Sequence, residues 1–386
     1  MSGVAITGIG VVSPFGVGTD AFWSGLCSGV CPLVPGTDGV PMGAAPELDT
    51  RAFVRTPGGR RIDHASLLAL AAARLALDDA KLPEGAVSAA RTGLALGSAL
   101  GNVRETVSFM DRVYERGAGN PLVFPNMVMN AALAYLSIEL GVTGPTVMTC
   151  DLEVSGEAAI AWGVQTILDG AADVCLAGAT DELADAIIPP VLREARVVSH
   201  SVARPLDRES DGHAIGEGAA VFVLEPLERA RSRGARVLAC IEPHPGFGVP
   251  SPLHGYPRDA GGLTRRLAPL LTDADLVVAC ASGLPSVDAL EASVLARTVG
   301  RRAAITAPRG ALGHFGGAGA LAVAVAALAL HHARVPPTAG CRLPAREALD
   351  VVVGEPRPHA ATTAVVTGLG RGGLCRPLRL VRETAE

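Results

Sequence analysis

The chain has 386 residues, 49% of them hydrophobic and 18% charged, with a formal net charge of −5. That length supports a large core or two fused halves, and the acidic balance argues against nucleic acid as a partner. A mean hydropathy of +0.35 raises the question of a membrane span, but the longest apolar run, Ala318 to Leu330, falls well short of the ~20 residues a bilayer requires.

Val4 to Thr7 reads as a strand that ends in a Gly-rich turn, Gly8-Ile9-Gly10. The Gly-x-Gly invites a dinucleotide reading. Against it, Ser13 stands where the third glycine belongs and Pro14 denies a helix its continuation. Helical periodicity runs from Ala65 to Lys81, with Asp78 and Asp79 on the solvent side, and Thr92 to Leu96 reads as a strand. Asn102 to Tyr114 reads as an amphipathic helix ended by Gly117 and Gly119, and Met127 to Leu140 as a second helix closed by Gly141. The short apolar run Thr146 to Met148 precedes a turn and an Ala-rich helix from Glu157 to Leu168. Strands at Asp173 to Ala177 and Ala219 to Leu224 follow, then a charged helix from Pro226 to Arg233.

The second half repeats the theme. Val237 to Ile241, Leu276 to Cys280 and Ala303 to Thr306 read as strands; Leu263 to Leu271 and Asp288 to Arg297 read as helices. Gly316 to His331 reads as a helix buried on all sides, and Val365 to Thr367 leads into the last turn. The Pro- and Gly-rich stretch from Pro243 to Gly262 is expected as a surface excursion. Strands alternating with helices, twice over, indicate an α/β chain with layered sheets. With aromatic residues at only 3%, its core must be built from Ala, Val, Leu and Gly.

The eight cysteines are scattered; only Cys27 and Cys31 lie close, and no second cluster completes a zinc site. They read as reduced thiols. No charged leader pattern precedes Val4-Ala5-Ile6, so the expectation is a cytoplasmic protein.

The most informative stretch is Thr149-Cys150-Asp151-Leu152-Glu153-Val154-Ser155-Gly156. A strand–turn–helix of this kind sets one side chain at a helix N-terminus, where free N–H groups and the helix dipole stabilise negative charge. Many acyl-transfer enzymes keep a thiolate or alkoxide there. The stretch resembles the turn of the β-ketoacyl-acyl-carrier-protein synthases, which reads Ser-Thr-Ala-Cys-Ser-Ser-Gly. Counting back from Ser155-Gly156, the nucleophilic cysteine falls on Glu153. The resemblance covers nearly the whole chain, including the opening Thr7-Gly8-Ile9-Gly10-Val11-Val12-Ser13-Pro14 and Arg204 to Ala219. It implies a thiolase-like α/β fold of two duplicated halves, 1–235 and 236–386, in a five-layer α-β-α-β-α arrangement.

A condensing synthase of that family needs a cysteine thiolate, two histidines, a lysine behind the second histidine, and backbone N–H groups for the oxyanion. Matched by motif, the first histidine falls on Cys280 in Ala279-Cys280-Ala281-Ser282-Gly283-Leu284-Pro285, with Asp288-Ala289-Leu290-Glu291-Ala292 fixing the register. The threonines that hold the pantetheine arm fall on Ser282 and Leu284. The second histidine survives as His314, and the lysine five residues before it is Arg309. The aromatic gate of the last turn becomes Arg371 in Gly368-Leu369-Gly370-Arg371-Gly372-Gly373. His314 or Arg309 is expected to supply the charge that keeps a buried Glu153 ionised.

Several catalytic positions have changed while the scaffold glycines persist; undirected decay would erode the glycine turns too. Within the family this pattern resembles the chain-length factor of type II polyketide synthases. That subunit pairs with an active ketosynthase and bounds the tunnel for the growing chain. The resemblance implies a heterodimer with a ketosynthase, visits from an acyl carrier protein bearing a phosphopantetheine-linked chain, and no cofactor or metal. It implies a tunnel wall from Thr106, Phe109, Met110 and Val113, at helical spacing on one face, with Leu122, Val123 and Phe124 beside them. The aromatic-system members carry glutamine where this chain has Glu153, which leaves room for pairs that build linear polyenes. Three other readings stand beside it. One is a malonyl decarboxylase with Glu153 mimicking an acyl group. Another is an acyltransferase using Cys150 or a Cys280–His314 pair, and the third is a non-enzymatic acyl-binding protein.

Overall fold

The computed structural model describes residues 3–36, 39–57, 61–83, 88–185, 187–242, 244–253 and 255–383. Its principal strands are β1 (Val4–Ser13), β2 (Thr92–Gly97), β3 (Thr146–Thr149), β4 (Val174–Asp181), β5 (Gly218–Pro226), β6 (Ala239–Glu242), β7 (Leu276–Val278), β8 (Ala304–Thr306), β9 (Asp350–Val351), β10 (Thr363–Val366) and β11 (Leu378–Val381). They join edge to edge in the order β9-β8-β7-β10-β11-β6-β1-β5-β4-β2-β3. The duplication, invisible as a spacing in the sequence, is plain in this order. β3-β2-β4-β5-β1 and β8-β7-β10-β11-β6 are the same path, parallel except where β5 and β11 run antiparallel to both neighbours. β1 and β6 splice the halves through Val4–Ile241, Ala5–Cys240 and Ile6–Ala239.

Helices flank and separate the two halves of the sheet. His64–Asp79 and Ala131–Leu140 cover one outer face, where Leu68, Leu70 and Leu136 pack with Leu94 and Leu96. Ala260–Leu271 and Pro285–Thr298 cover the other, with Leu263, Leu267 and Leu295 against Val277 and Ile305. Between the sheets lie Ser155–Leu168 and Ala318–His332, and every residue from Ala318 to Leu330 is buried. These two central helices meet at backbone distance: a methyl added to Gly156 would lie 2.7 Å from the Ala320 nitrogen. Glycine and alanine are required at the point where the backbones come this close. The result is the five-layer thiolase-like fold. No helix among the described residues is long and apolar enough to cross a membrane.

The structure revises two local expectations and adds detail to a third, the surface excursion, whose described residues are almost all exposed or half-buried. Gly8 and Gly10 do not form a turn, since β1 continues to Ser13 with a register shift between Ile6 and Gly8. Their glycines answer to packing: a Cβ at Gly8 or Gly10 would lie 2.2 Å or 1.9 Å from the carbonyl oxygens of Ala76 and Ala72 in the outer helix. The helix expected from Met127 starts only at Ala131, because the preceding Phe124–Met127, with a proline in its first turn, forms a 3₁₀ turn. The stretch expected as a surface excursion is tied down. Phe247–Gly248 pairs with Leu374–Cys375, and the Gly372 N–H donates to the Gly255 carbonyl at 2.8 Å.

Candidate functional site

β3 ends at Thr149, whose hydroxyl donates to the Ser155 carbonyl at 2.9 Å. The Ser155 hydroxyl donates to the Leu152 carbonyl at 2.7 Å and accepts the Asp151 N–H at 3.0 Å, cinching the loop into a 3₁₀ turn over Leu152–Val154. Leu152 takes the left-handed conformation, with φ of 52°. For a non-glycine residue this is a strained choice, held here by the surrounding bonds. The turn swings Glu153 inward, where it is only 3% exposed.

A buried carboxylate is costly unless charge and hydrogen bonds compensate it. Arg371 supplies both. Its Nε donates to Glu153 Oε1 at 2.5 Å and its backbone N–H donates to Oε2 at 3.0 Å. That N–H belongs to the last glycine turn, the one the family resemblance assigns to the oxyanion. The carboxylate therefore occupies the donor that a reacting carbonyl oxygen would need. Burial pushes the Glu153 carboxyl toward its neutral form, but His314 and Arg371 outweigh it and hold the group well below the usual carboxylate range.

The sequence expectation about the cation is met in part by His314, and Arg371 is added to it. His314 Nε2 stands 3.9 Å from Glu153 Oε1, beyond hydrogen-bond length, and burial holds its ring below the ordinary histidine value. Arg309 is buried but turned toward backbone, donating to the Cys280 carbonyl at 3.0 Å and to the Glu153 carbonyl at 3.5 Å. Arg371, where the family resemblance places the gate, is the nearest ionic partner.

Cys280 is a protonated thiol. Its Sγ donates to Glu291 Oε1 at 3.4 Å and its N–H to the same oxygen at 3.0 Å, while Thr367 Oγ1 donates there at 2.5 Å. Burial first, and the Glu291 charge second, push the thiol well above its ordinary range. Cys150 is exposed, and partial burial raises its pKa too. Neither has the depressed pKa of an acyl-accepting nucleophile, which weighs against the acyltransferase reading.

Two site residues escaped the sequence reading. His213, from the glycine-rich stretch taken as purely structural, stacks on His314 with ring centroids 4.3 Å apart and planes 15° from parallel. Both its nitrogens are buried without a partner among the described residues, and burial drives its pKa well below the ordinary value. Glu157, one helical turn after Glu153, is fully buried, and burial lifts its carboxyl to about 7. Its carboxylate rests on the neighbouring central helix, where a Cβ at Gly319 would lie 1.8 Å from Oε2. The signal for His213 was its place in Asp211-Gly212-His213, beside a segment that crosses His314: the His314 N–H donates to the Ala214 carbonyl at 2.8 Å. Nothing in the sequence pointed to Glu157, because an acid near a helix start reads as a solvated residue.

The residues expected to line a tunnel stand apart from this cluster. They lie on and beside the helix Val103–Arg116, which ends at left-handed Gly117 and contains no buried residue. Thr106, Met110, Leu122 and Phe124 are exposed, and Phe109, Val113 and Val123 are half-buried. Phe109 and Phe124 meet edge to face at 6.2 Å. Leu100, Tyr114, Val128 and Leu152 are further exposed apolar residues. Among the described residues no group of His, Cys, Asp or Glu is arranged to hold a metal ion.

Comparison with known proteins adds to this geometry. The model of the β-ketoacyl synthase N-terminal domain matches residues 1–230, and that of the C-terminal domain matches 267–342. The tetracenomycin polyketide synthase ketoacyl synthase alpha subunit of Streptomyces glaucescens is 32% identical, covering 96% of this chain and 95% of its own. The solved ishigamide ketosynthase/chain length factor superposes with a TM-score of 0.90 at 22% identity, covering 99% of this chain and 100% of that one. A beta-ketoacyl synthase from Burkholderia phymatum STM815 superposes with a TM-score of 0.89 at 26% identity, covering 100% of both chains.

Proposed function

The chain belongs to the β-ketoacyl synthase family and is homologous to type II polyketide synthase ketosynthase subunits, and on that premise we propose that it is the family's non-catalytic chain-length factor. In this role it heterodimerises with an active ketosynthase and shapes the acyl tunnel during decarboxylative condensation of malonyl-carrier-protein units in polyketide biosynthesis. We place the junction of its two halves between Ala235 and Arg236, in the connection from β5 to β6.

The observation that carries this reading is the Glu153–Arg371 clamp. Condensation requires a thiolate that takes the acyl group as a thioester, then two histidine donors that stabilise the enolate left when malonyl loses CO₂. Here the nucleophile position holds a carboxylate, and that carboxylate fills the last turn's N–H donor. One histidine position holds a thiol committed to Glu291. His314 alone remains, stacked against His213. Carbon–carbon bond formation must then occur on another subunit's cysteine.

The exposed apolar side around Met110, Tyr114, Leu122 and Phe124 fits the second half of the proposal. A surface of this kind is what an obligate partner would cover. In the complex, Thr106, Phe109, Met110 and Val113 would meet the end of the growing chain, so that their volume sets its length. Co-expression with an intact Cys-His-His ketosynthase tests the pairing. The expected result is a stable heterodimer that makes polyketide only while the partner keeps its cysteine. A homodimer of this chain, or elongation by this chain alone, refutes it.

A further inference from the structure

The far end of the central helix Ala318–His332 closes on a second cavity, which shares no residue with the Glu153 cluster. About 360 Å³ in volume, it lies where the helix Thr19–Cys27, the end of His64–Asp79 and Arg236 meet the last turn of the central helix. The 15 residues of that helix set it roughly 20 Å from the end nearer His314. One wall is aromatic, in a chain with only two tryptophans. The Trp23 indole stacks on the His332 imidazole, with centroids 5.0 Å apart and planes 21° from parallel, and His331 meets His332 edge to face at 5.0 Å. Leu238 and Leu328 complete an apolar side, and Thr19 and Ser24 add hydroxyls.

The charges of this cavity decide what it can hold. Asp79 and Arg236 satisfy one another at 2.5 Å, and Asp79 also accepts the Ile9 N–H at 2.9 Å. Asp20 lines the cavity with no ion-pair partner among the described residues. Partial burial holds the rings of His331 and His332 below the ordinary histidine value, so at neutral pH they bring no charge. Arg334 and Arg382 lie near the histidines without lining the cavity, and Arg382 is committed to the Leu330 carbonyl at 3.0 Å. The lining therefore carries one uncompensated negative charge, and the C-terminal end of the helix dipole adds to it. An anion would meet Asp20 and the helix end, with Arg236 already engaged. An ammonium group finds a carboxylate and hydroxyl oxygens for its N–H donors, and rings that attract a cation. We propose that this cavity binds a small organic amine in its ammonium form, with the charged head on Asp20 and the Thr19 and Ser24 hydroxyls, and a flat apolar body against Trp23, Leu238 and Leu328. The volume falls in the range of small-molecule sites, about 300–1,000 Å³. Nothing in this site depends on pairing with a ketosynthase.

Calorimetric titration of the full chain, in whichever oligomer purifies, tests this at pH 8 and low salt. The probes are 2-phenylethylamine and tryptamine, with 3-phenylpropionate as a ligand of similar shape and opposite charge. Both amines should bind, and the carboxylate should bind at least tenfold more weakly or not at all. Asp20→Asn should weaken amine binding about fivefold, as expected of a charge pair open to water. Ser24→Lys, which sets a like charge beside the ammonium head, should abolish it. Asp20 and Ser24 are both exposed, so melting curves of the two variants should stay close to the parent's. The proposal is overturned if neither amine binds at millimolar concentration, if 3-phenylpropionate binds as tightly as the amines, or if either variant keeps the parent's affinity.

Discussion

Replacing Arg371 with alanine strips Glu153 of its nearer charge partner and leaves the residue's backbone N–H at 3.0 Å and His314 at 3.9 Å. Losing one partner of a wholly buried ion pair costs about 3–5 kcal/mol. Glu153 meets that condition with a side chain 4% exposed, but Arg371 does not, at 40%. Water enters where the guanidinium was and screens part of the loss. The expectation is therefore nearer the cost of a charge-assisted hydrogen bond, about 2 kcal/mol. Urea unfolding of the parent, Glu153→Gln, Arg371→Ala and the double variant gives the coupling energy directly. The pH dependence supplies a second check. The folded carboxyl is held below its ordinary value of 4.5, so its stabilisation is complete above pH 4.5 and declines as pH falls from there. The penalty of Arg371→Ala should shrink in acid in parallel. A coupling below about 0.5 kcal/mol at pH 7, or a penalty that grows in acid, would refute the reasoning.

Further outcomes follow from the same site. Iodoacetamide at neutral pH should label Cys150 and leave Cys280 untouched in mass spectra of the native chain, because Cys280 is buried and its thiol is held protonated. Glu157 moves in the opposite sense to Glu153: burial lifts it to about 7, so the folded state binds the extra proton and stability falls as pH rises from 4.5 through 7. Glu157→Gln should flatten that slope in urea unfolding, and an unchanged slope would remove Glu157 as its source. In a reconstituted pair, Thr106→Trp or Val113→Phe should shorten the product measured by mass spectrometry; unaltered product lengths would count against a tunnel wall there.

Much of the scaffold could be read from residue order. Strand and helix periods placed many of the principal elements within a few residues, and the Ser155-Gly156 register put Glu153 at the position of the family's nucleophile, without saying which way its side chain turns. What escaped was set by contacts far apart in the chain. Gly8 and Gly10 look like a turn until the outer helix presses on them. Asp350–Val351 and Leu378–Val381 are too short or too mixed to announce themselves, and pairing with β8 and β10 makes them strands. Arg371 could be placed at the lost gate, but its grip on Glu153 joins positions 218 residues apart. His213 and Glu157 carry no local mark of their surroundings, since burial alone makes them unusual.

The two central helices touch where Gly156 meets the Ala320 backbone and where Gly319 makes room for the Glu157 carboxylate. Nothing in that contact leans on a nucleophile, an imidazole or an aromatic gate. An architecture of this sort does not depend on which groups its site carries: Glu153 and His314 stand at the ends of the helices and can be exchanged while the interior keeps its dimensions. Its inflexibility runs the other way. A single added methyl at the helix crossing would press on backbone atoms 2.7 Å away and so disturb the packing of both halves.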